Sequence, residues 1–325
     1  MPTDGAAMFD LGDANLLLPL LRAAFVAALF SAFGALLFIW LVAPQGLKLV
    51  GASGADAIEG RCLRLIRASL VAALFALLGW LALEASDMSD AANATDALAA
   101  IPAVLLETSF GHDLAAQALS VFAALVLLAA WPQRWRFASV GLAGLALALQ
   151  AGHSHAFAME HGPSLLLYAE GLHLLAGGAW LGGLLPLLIL VRDAPSKPAA
   201  ETLRRFSKLA TLCVIAIAGT ACFQGWVLGG GVAGLIGTAY GAVLLLKAAL
   251  FAALLGLAAI NRFRLTPALE REDPPPARWA LLRTIASETV LGLMVVLAAG
   301  ALSGLEPGMH AHPAATVASA SLTMP

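Results

Sequence analysis

The sequence predicts an all-α polytopic membrane protein, a bundle of eight transmembrane helices with both chain termini in the periplasm. Of the 325 residues, 61% are hydrophobic and only 12% are charged, whereas about a quarter of a soluble domain is charged. Long apolar runs recur along the chain, and a span needs roughly 20 such residues. These runs show no alternation of apolar and polar residues, which favours helices over a barrel of transmembrane strands.

The eight predicted spans are separated by joints that hold glycine, proline or charged residues. In chain order they cover residues 16–42, 63–83, 114–130, 137–151, 165–191, 209–228, 239–260 and 281–302. The connection 85–111 is the longest, and we expect a short surface helix in it. The whole chain, 1–325, is predicted to form a single transmembrane domain. Its last residues, 305–325, are rich in alanine, serine and threonine, which predicts a flexible periplasmic tail.

Basic residues predict the orientation of the bundle. Sixteen of the 18 lysines and arginines fall in or beside the connections after spans one, three, five and seven. The two exceptions, Arg22 and Lys247, lie inside spans. Because connections rich in lysine and arginine remain in the cytoplasm, the opposite face is the periplasmic one, as expected for a multi-pass protein of the bacterial inner (plasma) membrane. We call it the outer face.

Several function classes find no support in the composition. The net charge is −2, which does not suggest a nucleic-acid partner. The three cysteines form no C-x-x-C pair, so a disulfide framework is not expected. We also find no Walker motif, and we expect neither an enzyme nor direct use of ATP. The sequence predicts that the protein is embedded in the lipid bilayer.

All seven histidines map to the outer face or the outer leaflet. His112 begins span three, His173 lies about two turns inside span five, and His310 and His312 fall in the tail. The segment that follows span four adds a dense group of side chains that bind metals, His153, His155, Met159, Glu160 and His161. Imidazole and thioether suit copper, with thioether favouring Cu(I), while imidazole with carboxylate also suits Cu(II) or Zn(II).

Span five carries an unusual polar stripe. Glu170, His173 and Trp180 fall at positions i, i+3 and i+10, on one helical face. Ionisable residues inside a span face protein or water rather than lipid, which indicates either a metal site below the outer histidines or a buried pair that fixes packing. Gly178 and Gly182 form a G-x-x-x-G motif that allows a neighbouring helix to approach closely.

Two further charges lie inside spans and need partners. Lys247 is near the middle of span seven, and Glu288 is near the middle of span eight, which runs the opposite way. Since an unpaired charge at that depth is expensive, we expect a structural ion pair between Lys247 and Glu288.

Several stretches between His153 and Pro307 resemble the copper-resistance protein D (CopD) family. They are residues 170–186, 205–210, 240–247, 261–267 and 283–288. The resemblance implies an eight-span inner-membrane protein that works with a small periplasmic copper carrier of the CopC type and moves copper from periplasm to cytoplasm. It supports His153, His155, Glu170 and His173 as candidates.

The sequence therefore predicts a copper transporter. Copper, Cu(I) or Cu(II), is captured at the outer face and passes inward along span five; the candidate ligands are His112, His153, His155, Met159, His161, Glu170 and His173. Two alternatives stay open. One is a membrane electron carrier that binds haem through histidines on separate helices, and the other is a copper-binding or copper-sensing membrane protein without transport.

Overall fold

Long apolar runs fold as helices throughout the part of the chain that the structure describes, even where a run contains a proline such as Pro19. A computed structural model describes residues 14–91, 93–130, 136–153, 163–228, 238–272 and 275–302. Within these ranges twelve α-helices follow one another: α1 Ala14–Leu37, α2 Ala43–Lys48, α3 Ala52–Met88, α4 Ala94–Glu107, α5 Ser109–Ala130, α6 Arg136–Leu149, α7 Pro163–Leu181, α8 Leu184–Asp193, α9 Ser196–Leu228, α10 Ala239–Ile260, α11 Thr266–Glu272 and α12 Pro275–Leu302.

Several neighbouring helices form one continuous span. A π-helical turn, Phe38–Val42, joins α1 to α2, and a second, Asn261–Leu265, joins α10 to α11. The predicted all-α fold is confirmed, and seven segments of the described chain are long and apolar enough to cross a membrane. The fourth predicted span, 137–151, is a shorter helix, α6 with 14 residues, followed by the 3-10 turn Gln150–His153.

Helix α1 lies at the centre of the bundle. It packs against α3, α6, α7 and α12, and Phe25, Leu29 and Ala32 on it are completely buried. Two tryptophans fill the core beside it, Trp80 from α3 and Trp180 from α7. A helix contacted from several sides is apolar all round, which agrees with the long apolar run at the start of the sequence.

Glycine allows α1 and α7 to approach each other closely. A Cβ atom placed on Gly182 would lie 1.7 Å from the Phe30 carbonyl oxygen, and one on Gly34 would lie 2.3 Å from the Gly178 carbonyl oxygen. No side chain fits at these positions, so the backbones touch directly. The close approach predicted from the G-x-x-x-G motif is confirmed, with α1 as the neighbour.

The short surface helix expected in the connection 85–111 is α4. Asn93 precedes it with extended backbone, and its side-chain oxygen accepts hydrogen bonds from the backbone N–H groups of Thr95 and Asp96, at 3.0 Å each. Such a cap satisfies donors that the first helical turn leaves free. Leu98 and Leu106 on α4 are 61% and 75% exposed, so one face of this helix is apolar and uncovered.

Arginines collect at the opposite end of the bundle from the histidines and bind carboxylates or carbonyl groups there. Arg61 pairs with Asp193, and Arg136 pairs with Glu59. Arg278 donates to the carbonyl oxygen of Val191 at 2.9 Å. These contacts join helices that are distant in sequence. We call this end the basic end, and the end at which α3 and α6 finish and α5 begins the histidine end.

Candidate functional site

His153 sits in an aromatic pocket at the histidine end. It closes the 3-10 turn that follows α6, and its ring centroid lies 5.0 Å from that of Trp80 and 5.2 Å from that of Phe110. Its Nε2 atom is buried and has no hydrogen-bond partner among the described residues. Buried polar atoms are nearly always satisfied, which makes this nitrogen a candidate ligand atom.

A carboxylate lies against the same turn. A Cβ atom on Gly152 would be 2.8 Å from Oδ2 of Asp113, which places Asp113 directly beside the residue that precedes His153. Burial lowers the pKa of His153, while the charge of Asp113 opposes that change. The imidazole is therefore neutral at neutral pH, which is the form that binds a metal ion.

The aromatic wall beside His153 is held by a partly buried ion pair. Arg22, one of the two basic residues inside predicted spans, pairs with Glu84. Trp80 donates from Nε1 to Glu84 Oε1 at 3.1 Å, and the Arg22 guanidinium lies 5.1 Å from the centroid of the Trp80 ring. These contacts fix the indole against which His153 packs.

His112 lies on the first turn of α5, next in sequence to Asp113, and is exposed. Its Nε2 is 3.1 Å from the carbonyl oxygen of Leu106. Because a carbonyl oxygen only accepts, Nε2 carries the proton, and Nδ1 is the nitrogen with a free lone pair.

The described residues hold only part of the predicted ligand set. His155, Met159 and His161 lie outside the described ranges, as do the tail histidines. Within those ranges, no group of three or more His, Cys, Asp or Glu side chains is placed to hold a metal ion. His153 and His112 are thus the two predicted outer-face ligands that the described residues include.

A layer of polar side chains from three helices lies deeper in the bundle. His173 on α7 bonds Thr220 on α9, with Nδ1 and Oγ1 2.9 Å apart. The Thr220 hydroxyl donates to the carbonyl oxygen of Ala216 at 2.7 Å, so its oxygen accepts from the imidazole N–H. The free lone pair of His173 is then on Nε2.

Glu170 joins the same layer and has a positively charged neighbour. Lys247 on α10 interacts electrostatically with both Glu170 and His173. The Gln224 side chain on α9 approaches the Glu170 carboxyl, yet its buried Nε2 donor has no hydrogen-bond partner within the described ranges. We call Glu170, His173, Thr220, Gln224 and Lys247 the polar layer.

The polar layer lies toward the histidine end. Glu170 is seven residues into α7 and Lys247 eight residues into α10, or roughly 10–12 Å along the helix axes at 1.5 Å per residue. Thr220 precedes the end of α9 by a similar distance. The stripe predicted on span five therefore faces protein groups from two other helices.

The structure differs from the expected pairing of Lys247 with Glu288. No ion pair between them occurs among the described residues; Glu288 instead accepts a hydrogen bond from Asn261. Asn261 lies fourteen residues beyond Lys247, or about 21 Å along a helix. Asn261 begins the π-helical turn that follows α10, so Glu288 sits closer to the basic end than the sequence suggested.

Two family profiles match the chain one after the other. The profile of the copper resistance protein D-like N-terminal domain matches residues 8–166, and that of copper resistance protein D matches residues 200–302. The chain belongs to the copper resistance protein D family. Membership supports a copper-related function in a membrane, and it confirms the resemblance found in the sequence.

Three relatives illustrate the match. Copper resistance protein D of Pseudomonas syringae pv. tomato is 34% identical over 142 residues, which are 40% of this chain and 44% of that protein. The inner membrane protein YebZ of Escherichia coli (strain K12) is 26% identical over 87% of this chain and 98% of its own length. The copper transport protein CutJ of Bacillus subtilis (strain 168) is 31% identical over 53% of this chain and 30% of its own length.

The matched part of the chain thus spans less than half of the Pseudomonas and Bacillus relatives. No solved structure matches the chain. With its apolar helices and its similarity to an inner-membrane protein over nearly the whole of that relative, the chain is a multi-pass protein of the inner membrane.

Sequence reasoning missed some members of these sites. Thr220 carried no signal by itself, although it lies four residues before Gln224 and so shares a helical face with it. Nothing in the sequence distinguishes Trp80 and Phe110 from ordinary aromatic core residues. Asn261 drew attention only as part of a family-like stretch, since nothing local indicates that its amide meets a glutamate 27 residues later.

Proposed function

We propose that this protein imports copper from the periplasm to the cytoplasm, capturing it at the histidine end and passing it to the polar layer. The observation that carries the proposal is the buried, unpaired Nε2 of His153. A neutral imidazole with a free lone pair beside the Asp113 carboxylate offers the nitrogen and oxygen donors that copper accepts. Membership of the copper resistance protein D family points to the same metal.

In the proposed entrance, His153 is joined by the four candidates His112, His155, Met159 and His161. His112 begins the helix that also carries Asp113, and the other three follow His153 within eight residues. The short spacing allows several of these side chains to meet around one ion. Imidazole and thioether together favour Cu(I), and imidazole with carboxylate also accepts Cu(II).

We propose a second copper-binding site at the polar stripe on α7. Nε2 of His173 and the Glu170 carboxyl are the donors there, and Lys247 supplies a positive charge that a cation has to displace or tolerate. Competition between Lys247 and the cargo weakens binding at this site. Weak binding suits a site that has to release its ion.

We further propose that a separate small periplasmic carrier of the CopC type delivers the copper, as the family resemblance implies. The exposed apolar face of α4 lies at the histidine end, because α4 leads directly into α5. In this proposal the carrier delivers copper beside His112.

Copper uptake into vesicles tests the proposal. We expect purified protein reconstituted in liposomes to take up copper, and the double variant His153→Ala/His155→Ala to lose most of that uptake. Asp96→Asn is the matched control, since Asp96 is an exposed carboxylate on α4 that bonds only its local cap, and uptake should be unchanged.

Two results would contradict parts of this proposal. Unchanged uptake in the double histidine variant would remove the proposed entrance. Bound copper without any uptake in the wild-type protein would instead favour a copper-binding or sensing role. An absorption spectrum of the purified protein checks the remaining class, since a Soret band that shifts on reduction would indicate a haem protein.

A further inference from the structure

A second polar site lies at the other end of the membrane-spanning part, where Glu288 meets the π-helical turn after α10. Glu288 is 3% exposed and accepts a hydrogen bond from Nδ2 of Asn261. No cation pairs with this carboxyl group among the described residues, within the 4.0 Å that defines an ion pair. A buried carboxyl group without a cation is expensive if it is charged.

Asn261 is held with its amino group toward Glu288. The hydroxyl group of Thr284 donates to the amide oxygen Oδ1 of Asn261, so that oxygen is already used and the NH₂ group faces the glutamate. The Thr266 hydroxyl donates to the Asn261 carbonyl oxygen at 2.8 Å. This network makes the site rigid, and π-helical turns are frequent at functional sites.

A cavity opens beside the carboxyl group. Its volume is about 40 Å³, and Glu288, Asn261 and Thr266 line it together with Ser207 and Arg262. A cavity needs roughly 10–15 Å³ to hold a water molecule, so this one has room for water or a small cation. Trp180 closes another part of its wall, on the same helix as Glu170 and His173.

Among the residues that line the cavity, no positively charged group pairs with the Glu288 carboxyl group, so the carboxyl group is free to bind a cation. Arg262 is the other ionisable side chain that lines it, and its guanidinium donates to the Thr211 hydroxyl at 2.6 Å and lies 5.5 Å from the Phe263 ring centroid. The remaining lining side chains, from α7, α8, α9, α10 and α12, are apolar or uncharged.

We propose that Glu288 and Asn261 form a cation-exchange site near the basic end, where the carboxyl group gives up its proton when the transported copper ion arrives and takes one back when it leaves. The inference rests on the proposed function. In the exchange one O–H bond breaks, the proton passes to water in the cavity, and the cation takes its place at the carboxylate. No electrons move, and Asn261 stays hydrogen-bonded throughout.

The donor chemistry distinguishes this site from the entrance. Glu288, Asn261, Thr266 and Thr284 present only oxygen donors and an amide N–H, and such oxygen sites hold copper less firmly than imidazole or thioether does. A proton therefore competes well for Glu288, which favours release of the ion. In this proposal the entrance binds copper firmly, and the Glu288 site exchanges copper for a proton.

Infrared difference spectroscopy of the protein in lipid nanodiscs tests the exchange directly. Spectra with and without copper, added as Cu(I) kept reduced by ascorbate or as Cu(II), should show the loss of a protonated-carboxyl C=O band. The Glu288→Gln variant should lack that change, while Glu270→Gln, which removes an exposed carboxylate paired with Arg204 at the basic end, should keep it. Glu170→Gln identifies any contribution from the polar layer.

The outcomes separate this inference from the proposed function. A carboxyl band that survives copper addition, or a full band change in Glu288→Gln, overturns the exchange site even if the vesicles take up copper. Vesicles that take up no copper overturn both. A Glu288→Asp variant with the band change restored, at an unchanged melting temperature, would exclude misfolding as the cause of the loss in Glu288→Gln.

Discussion

Replacing Gly182 by alanine should loosen the contact between α1 and α7. The new Cβ atom would lie 1.7 Å from the Phe30 carbonyl oxygen, whereas real Cβ atoms essentially never come closer than 3.0 Å. One backbone must therefore move by about 1.3 Å, and backbone shifts forced by overpacking cost about 1–3 kcal/mol. The clash involves backbone rather than a flexible side chain, so rotamer changes give no relief.

Equilibrium unfolding in mixed detergent micelles, followed by circular dichroism, measures this loss. Gly256→Ala is the matched control, because its Cβ atom meets nothing within 4 Å and alanine is the better helix former by up to about 1 kcal/mol. We expect Gly182→Ala to unfold more easily than both the wild type and Gly256→Ala. Equal stability of the two variants would refute the close backbone contact.

Two further predictions concern the charged groups of the candidate sites. The effects of Lys247→Met and Glu170→Gln on stability should be non-additive, with an interaction energy of about 0.5–3 kcal/mol, because the two side chains interact electrostatically; additive effects in the same unfolding assay would contradict that interaction. Burial lowers the pKa of His153, so its stabilising contribution is complete above the unfolded value of about 6.5 and is lost as the pH falls below it. Copper binding at the entrance should therefore persist below pH 6.5; binding that fails near pH 6.5 would contradict a buried neutral imidazole.

The fold class followed from the sequence because bilayer crossing is a property of single segments. Hydropathy over about 20 residues identifies a span without knowledge of its neighbours. The close approach at Gly182 was also accessible, since small residues four apart indicate a helix contact. The sequence did not show which helix makes that contact, because any neighbour with a small residue such as Gly34 fits the motif equally well.

The depth of charged residues was harder to predict. Glu288 and Lys247 appeared level because each lies near the middle of an apolar run. Their depths differ because Glu288 meets Asn261, which lies fourteen residues beyond Lys247, or about 21 Å along a helix. The position of a charge within an apolar run therefore does not give its depth closely enough to identify its partner.

The partners of each site depend on helix rotation as well as depth. The sequence places Glu170 and His173 on one face of α7, but it does not say which helices face them. Thr220 and Lys247 meet them only because α9 and α10 turn their polar positions inward. The same holds for His153, whose aromatic pocket is built by residues more than 40 positions earlier.

Copper capture at His153 is the central claim, and a copper-binding isotherm tests it most directly. Purified protein should bind copper at the histidine end, and His153→Ala should bind at least one ion fewer or bind it far more weakly. Asp96→Asn should bind as the wild type does. A His153→Ala protein with the wild-type affinity and stoichiometry would contradict the claim, because the unpaired Nε2 would then have no part in holding the metal.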